Sequence, residues 1–208
     1  MRTPTTRTPT WVIALLVVFG AGVPAWGLVV RHDRMANQAR LAAIASLIAG
    51  RPVQVRCPGM IAKLGPDTVA GSVQADADGN PRDETKLAKV TCAELDALAE
   101  GRRAPQLACV ARSSSCGDDA QRLAWAVDAL AHESYHLRGV LDEGVAECSS
   151  MQTVDWTAQR LGATPAQARG LAQLHFETGF PQMPDRYQAP GCSDGGALDL
   201  RPGTPVWP

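Results

Sequence analysis

Residues 119–148 read DAQRLAWAVDALAHESYHLRGVLDEGVAEC, and the spacings inside this stretch decide the fold. Leu123, Val127, Leu130 and Leu137 recur at helical intervals, so they line one side of a helix that packs into a core. Asp118 or Asp119 is a natural cap for its start. Gly139, directly after Arg138, is a natural stop. Within this helix His132 and His136 stand four residues apart, a little more than one turn, so both imidazoles leave the same face. Glu133 lies between them. The chain holds only two other histidines, His32 and His175.

Two imidazoles converging from one helical face can hold one metal ion, and zinc is the ion that the H-E-x-x-H spacing suits. Such an ion makes water acidic, and Glu133 is placed to take the proton as that water attacks a carbonyl. The third ligand is expected from the acids that follow. A second helix beginning near Leu141 or Asp142 sets Glu143 and Glu147 one turn apart on one face. If Gly139 turns the chain back, that face meets the histidines. Glu143 then binds the metal while Glu147 holds the far N–H of a histidine. Asp142 and Glu147 are the alternative third ligands. This second helix is predicted to pass Cys148 and Met151, reach Leu161 and stop at Gly162. A third starts at Thr164-Pro165, with Thr164 as cap and Pro165 in its first turn.

On these residues the chain resembles the zincin superfamily of metallopeptidases. In the thermolysin-like branch a later helix supplies a glutamate ligand, followed four residues on by another acid. Asp142-Glu143 and Glu147 are similar, although the gap after His136 is much shorter. The metzincin-like pattern H-E-x-x-H-x-x-G-x-x-H/D matches His132, Glu133, His136, Gly139 and Asp142 letter for letter. That branch would make Asp142 the ligand, but no well-placed Met-turn accompanies it, and Met151 falls within the second helix. Residues 52–208 also resemble a group of small actinobacterial exported or anchored, metallopeptidase-like proteins. The shared features are the HESYHLRG…DE…AEC segment and the closing run from Cys192 to Leu200. The resemblance implies an α+β fold: a mainly helical zincin-like domain with a small antiparallel edge sheet. It also implies Zn2+ as cofactor and a peptide or protein substrate that pairs with an edge strand.

Val69–Ala75 is the expected edge strand. The polar turn DADGNPR (76–82) leads to a second hairpin arm near Thr85–Val90, and Pro52–Arg56 is a further short strand. A helix is expected over Thr91–Glu100, with Thr91 and Glu94 forming a capping box. Residues 102–118 read as a disulfide-pinned loop, and the tail from Gly179 as irregular chain. Tyr187, in that tail, could reach the site and stabilise an oxyanion; covering apolar surface is its plainer role. Tyr135 points away from the imidazoles. Trp125, seven residues before His132, either floors the metal pocket or fills the core. His175 could be a distant ligand or transition-state donor; a structural helix histidine is its plainer role.

Trp11–Val30 (WVIALLVVFGAGVPAWGLVV) carries no ionisable side chain and as a helix would span roughly 30 Å, enough to cross a bilayer. Arg2 and Arg7 precede it, which favours a cytoplasmic N-terminus (1–10) and an exported body. The expected order is a transmembrane helix or cleaved signal (11–30), a juxtamembrane helix or stalk (31–51), and an extracytoplasmic domain (52–208). Cys57, Cys92, Cys109, Cys116, Cys148 and Cys192 all lie in that last segment, an even number suited to disulfides. Cys109 and Cys116 can close a small loop; the other pairings are open. With 20 basic against 21 acidic side chains, nothing favours a nucleic-acid partner. The competing class is a non-catalytic envelope structural or binding protein whose zinc is structural, held by four protein ligands.

Overall fold

A computed structural model describes residues 35–58, 70–113 and 115–208. The expected membrane segment, residues 11–30, lies outside them, as do Gly65-Pro66 and Val69. No helix among the described residues is long and apolar enough to cross a membrane.

The architecture is α+β, built around the helix that the opening stretch predicts. That helix, α4 (Gly117–Arg138), runs about 33 Å through the core. Leu123, Val127, Leu130 and Leu137 are completely buried along it. So are Ala120, Ala124 and Ala131, whose small side chains let neighbours approach from several directions. Three helices, α2 (Lys89–Ala99), α6 (Val154–Arg160) and α7 (Pro165–Leu174), pack on it, together with α5 (Glu143–Met151). The helix at residues 35–49, α1, sends Leu41, Ile44, Ala45 and Ala49 into the same core. That spacing is an apolar helical stripe. The segment expected as a stalk is therefore part of the folded unit from Gln38 onward, and the domain starts before residue 52.

Among the described residues three strands form one sheet in the order β1-β3-β2: β1 (Gln54–Arg56), β2 (Gly71–Ala75) and β3 (Pro81–Leu87). β2 and β3 are the expected antiparallel hairpin, but β1 runs parallel to β3, so the sheet is mixed rather than antiparallel. The second arm also begins earlier than Thr85, because the turn closes where Asp76 accepts from the backbone of Asp78 and Asn80. Among the described residues β2 has β3 as its one strand neighbour, which makes it the edge strand expected near Val69–Ala75.

Three further expectations are corrected. The helix after the sheet starts at Lys89, and Thr91 does not cap it: its hydroxyl donates to the Ala70 carbonyl, while Glu94 pairs with Arg103. Part of the 102–118 loop is a short helix, α3 (Ala104–Val110). The predicted helix from Asp142 to Leu161 breaks at Gln152-Thr153, where the Gln152 side chain bonds the tail at Leu198 and Leu200. The third helix starts as expected, with Thr164 and Gln167 forming a complete capping box. α7 then widens into a π-helical turn, His175–Gly179. The six cysteines form three disulfides, Cys57–Cys92, Cys109–Cys116 and Cys148–Cys192. The last ties α5 to the irregular tail.

Candidate metal centre

The C-terminal end of α4 builds the site. Gly139 adopts φ 102°, a left-handed conformation that reverses the chain without steric cost only for glycine. Its N–H and that of Val140 close back onto the carbonyls of His136 and Tyr135. Arg51, 86 residues away in sequence, donates to the Leu137 carbonyl at 3.0 and 3.2 Å. Three residues later Asp142 starts α5 by accepting from the Val145 N–H (2.9 Å). The two helices thus meet at an angle that turns the first residue of α5 back toward the last two turns of α4.

Glu143 is that residue. Its Oε2 lies 3.0 Å from His132 Nε2 and 3.2 Å from His136 Nε2. Both imidazoles thus converge on one carboxylate oxygen, and the three side chains are a group able to hold a metal ion. Their other contacts fix which nitrogen faces inward. His136 Nδ1 sits 2.7 Å from the Val140 carbonyl, which can only accept, so Nδ1 donates there and Nε2 is the nitrogen turned to Glu143. His132 Nδ1 faces Glu147 Oε2 at 3.0 Å. Asp142, occupied as the α5 cap and exposed, is not brought to the histidines.

Glu133 is buried beside this group. Its side chain rests on β2 so closely that a Cβ at Gly71 would stand 2.6 Å from Glu133 Cγ. Thr85, whose hydroxyl bonds the Ser72 carbonyl, lies 3.5 Å from Glu133 Oε2. Burial, with the negative charge of Glu143 adding to it, pushes Glu133 up to about 7. Tyr187 closes the opposite wall, its ring 5.7 Å from that of His132. Tyr135 points into an apolar cluster with Ile48, Ala131 and Ala146, as its helical phase predicts.

Behind the histidines lies a second group that sequence reasoning missed: Asp128, Glu147 and His175, all buried. Glu147 bridges the two groups, bonding His132 through Oε2 and His175 through Oε1 (3.0 Å). Burial opposes the Glu147 charge, but these two imidazoles outweigh it and bring the carboxyl down to about 2. Burial likewise opposes charge on His132, yet its bond to Glu147 and the nearby Asp128 raise it to about 9 in the metal-free protein. Asp128 is driven up to about 6 by burial and by the Glu147 charge. The available signal was a lone aspartate one turn before His132 in an alanine-rich run.

A cavity of about 570 Å3 opens onto both groups. Its walls are β2 on one side and Met183 to Tyr187 on the other, with α4 as the floor. Trp125, 41% exposed, belongs to that floor rather than to the core. The donor set is chemically suited to a divalent ion: two imidazole nitrogens and one carboxylate oxygen, with the His132 proton given up when the ion binds. For metal–ligand bonds of about 2.0–2.1 Å, the donors of a tetrahedral site stand roughly 3.3 Å apart; the distances of 3.0 and 3.2 Å come close to that. Compared with known proteins, the chain matches no family model, no curated protein and no solved structure.

Proposed function

We propose that this chain is a zinc-dependent hydrolase of the zincin type, a peptidase, with His132, His136 and Glu143 as zinc ligands and Glu133 as general base. The observation that carries the reading is the convergence of both Nε2 atoms on one Glu143 oxygen, at the mouth of a cleft that also contains Glu133. Zinc held there supplies a Lewis acid that polarises a carbonyl and makes water more acidic. Glu133 takes the proton of the attacking water and delivers it to the leaving amine. Its burial suits that exchange, because a carboxyl lifted toward neutrality both accepts and returns a proton near pH 7. Glu147 holds His132 through Nδ1 and so keeps its Nε2 aimed at the ligand position. The hydroxyl of Tyr187 is the candidate donor to the developing oxyanion. An extended peptide would lie along the edge of β2 that carries no other strand among the described residues, where Gly71 lets β2 pass beside Glu133.

A purely structural zinc site would need four protein donors and closure from solvent. The side chain of Glu143 is 40% exposed to the cleft, which favours an open site instead. Three disulfides support an oxidising compartment. With the apolar run Trp11–Val30, they favour an exported domain anchored in, or released from, a membrane.

The test is turnover of a casein peptide digest followed by mass spectrometry. Parent chain should cleave it, and Glu133→Gln should retain zinc while losing about 10²–10⁴-fold in rate, the usual worth of a positioned general base. Undiminished turnover by Glu133→Gln would remove Glu133 from that role.

A further inference from the structure

The cleft is lined by four acids, three histidines and one arginine. Each acid is engaged: Glu143 with His132 and His136, Glu133 with Thr85, Glu147 with His132 and His175, and Asp128 with the Ser150 hydroxyl. The arginine is not. Arg186 is exposed on the wall that runs from Met183 to Tyr187. A guanidinium carries five N–H donors. Here Nη2 donates to the Tyr187 hydroxyl at 3.4 Å, and among the described residues no acid pairs with the group.

Arg186 is held in place rather than left trailing in solvent. Its Cζ stands 4.8 Å over the Tyr187 ring, a cation–π stack, and that ring is 5.7 Å from the ring of His132. The turn beneath is closed by the Tyr187 N–H on the Pro184 carbonyl (2.8 Å) and the Gln188 N–H on the Asp185 carbonyl (2.9 Å). The Gln188 side chain adds a bond to the Met183 carbonyl (2.9 Å). The chain that follows lies on the first turn of α5, where a Cβ at Gly144 would stand 2.9 Å from the Ala189 nitrogen. Cys148–Cys192 then ties it to the same helix. The unpaired cation is thus braced against the element that carries Glu143.

We propose that Arg186 seats a carboxylate of the substrate, so that the cleft selects a peptide bearing a negative charge on the tail side of the metal; this occupant rests on the peptidase reading. A guanidinium presents parallel N–H groups to both oxygens of a carboxylate, a match that no neutral side chain offers. Elsewhere in the cleft a carboxylate meets the four acids; beside Arg186 it meets the cation. A lysine or arginine of the substrate meets like charge there. The separations of 4.8 and 5.7 Å, laid end to end, equal about three residues of extended chain at about 3.3 Å each. The charge therefore belongs within about three residues of the bond to be cut. A peptide supplies it in two ways, from an aspartate or glutamate side chain or from its C-terminus.

The test reads binding, so that it does not depend on catalysis. Zinc-saturated full chain carrying Glu133→Gln is titrated by fluorescence anisotropy at about 0.15 M salt, where long-range attraction is screened. One set of probes is blocked alanine hexapeptides with Glu, Gln or Lys at each position in turn. The other is the all-alanine hexapeptide with a free or an amidated C-terminus; every peptide carries an uncharged fluorophore at its N-terminus. One position, or the free terminus, should bind about fivefold tighter than its neutral counterpart, the upper worth of a solvent-exposed charge pair. Which set shows it tells side chain from terminus. Arg186→Gln should bring that ratio to about one, and Arg186→Glu should invert it, in favour of Lys or of the amidated end. Equal binding in both sets, a preference spread evenly over all positions, a ratio that survives Arg186→Gln, or no peptide binding at all would overturn the seat. Cleavage by the parent chain with no charge preference would sink the seat and keep the peptidase reading. An Arg186-dependent preference without cleavage would do the reverse.

Discussion

Two sets of histidines and acids lie side by side in this protein and behave oppositely. His132, His136 and Glu143 face a cleft and point their donor atoms at one spot; Asp128, Glu147 and His175 are buried and bond one another. Residue type does not separate them, since each set draws on imidazole and carboxylate. Burial does. In the interior an unpaired charge is too costly to persist, so Asp128, Glu147 and His175 neutralise each other. At the cleft, Glu143 remains exposed enough for solvent or a cation to answer it. The candidate metal site is thus marked by donors aimed together and left available, while its buried neighbour holds His132 through Glu147.

The largest way to break this comparison is to remove the imidazole from the buried set. His175→Ala leaves Glu147 and Asp128 buried with less compensation and should cost about 3–5 kcal/mol of stability, read from denaturant unfolding. His136→Ala, in the open set, should change stability far less while removing metal. Equal destabilisation by the two variants would erase the distinction.

Glu147→Gln tests the bridge between the sets. It retains shape and a hydrogen bond but loses the charge that holds His132, and zinc affinity should fall about 10–100-fold in a chelator competition. An unchanged affinity would mean that Glu147 does not orient His132.

Proton linkage gives a smaller, graded effect. In the metal-free protein His132 is raised to about 9, so at pH 7 it is protonated and any metal must displace that proton. Zinc affinity should therefore climb by up to about tenfold per pH unit from 7 to 9 and then level off. The same raised value means that the favourable His132–Glu147 pairing is fully present below the ordinary histidine range and lost as pH rises through about 9. Affinity that is flat from pH 7 to 9 would contradict a protonated His132.

The smallest effect separates the two readings of the acids. Asp142→Ala removes a helix cap and should cost about 1 kcal/mol, with zinc stoichiometry unchanged. Loss of metal in that variant would make Asp142 a ligand after all.

The parts of this arrangement that were legible in the sequence are the local ones. The apolar spacing of α4, its glycine stop, the histidine pair and the helical phase linking Glu143 to Glu147 all follow from residues a few positions apart. The Thr164 cap was readable for the same reason. What escaped depends on partners distant in the chain. β1 is three residues long and pairs in parallel with a strand about 30 residues later, a register no local pattern encodes. Thr91 and Glu94 have the letters of a capping box, but Ala70 and Arg103 offer them stronger partners. Arg51, which closes the end of α4, and His175, which completes the buried set, become visible only once the chain has folded.

The most direct test is the metal content and coordination of the purified chain, by elemental analysis and zinc X-ray absorption. About one zinc per chain is expected, bound through two imidazole nitrogens with oxygen completing the shell, and His132→Ala should abolish it. Absence of stoichiometric metal from the parent chain, or zinc retained in full by His132→Ala, would contradict the account.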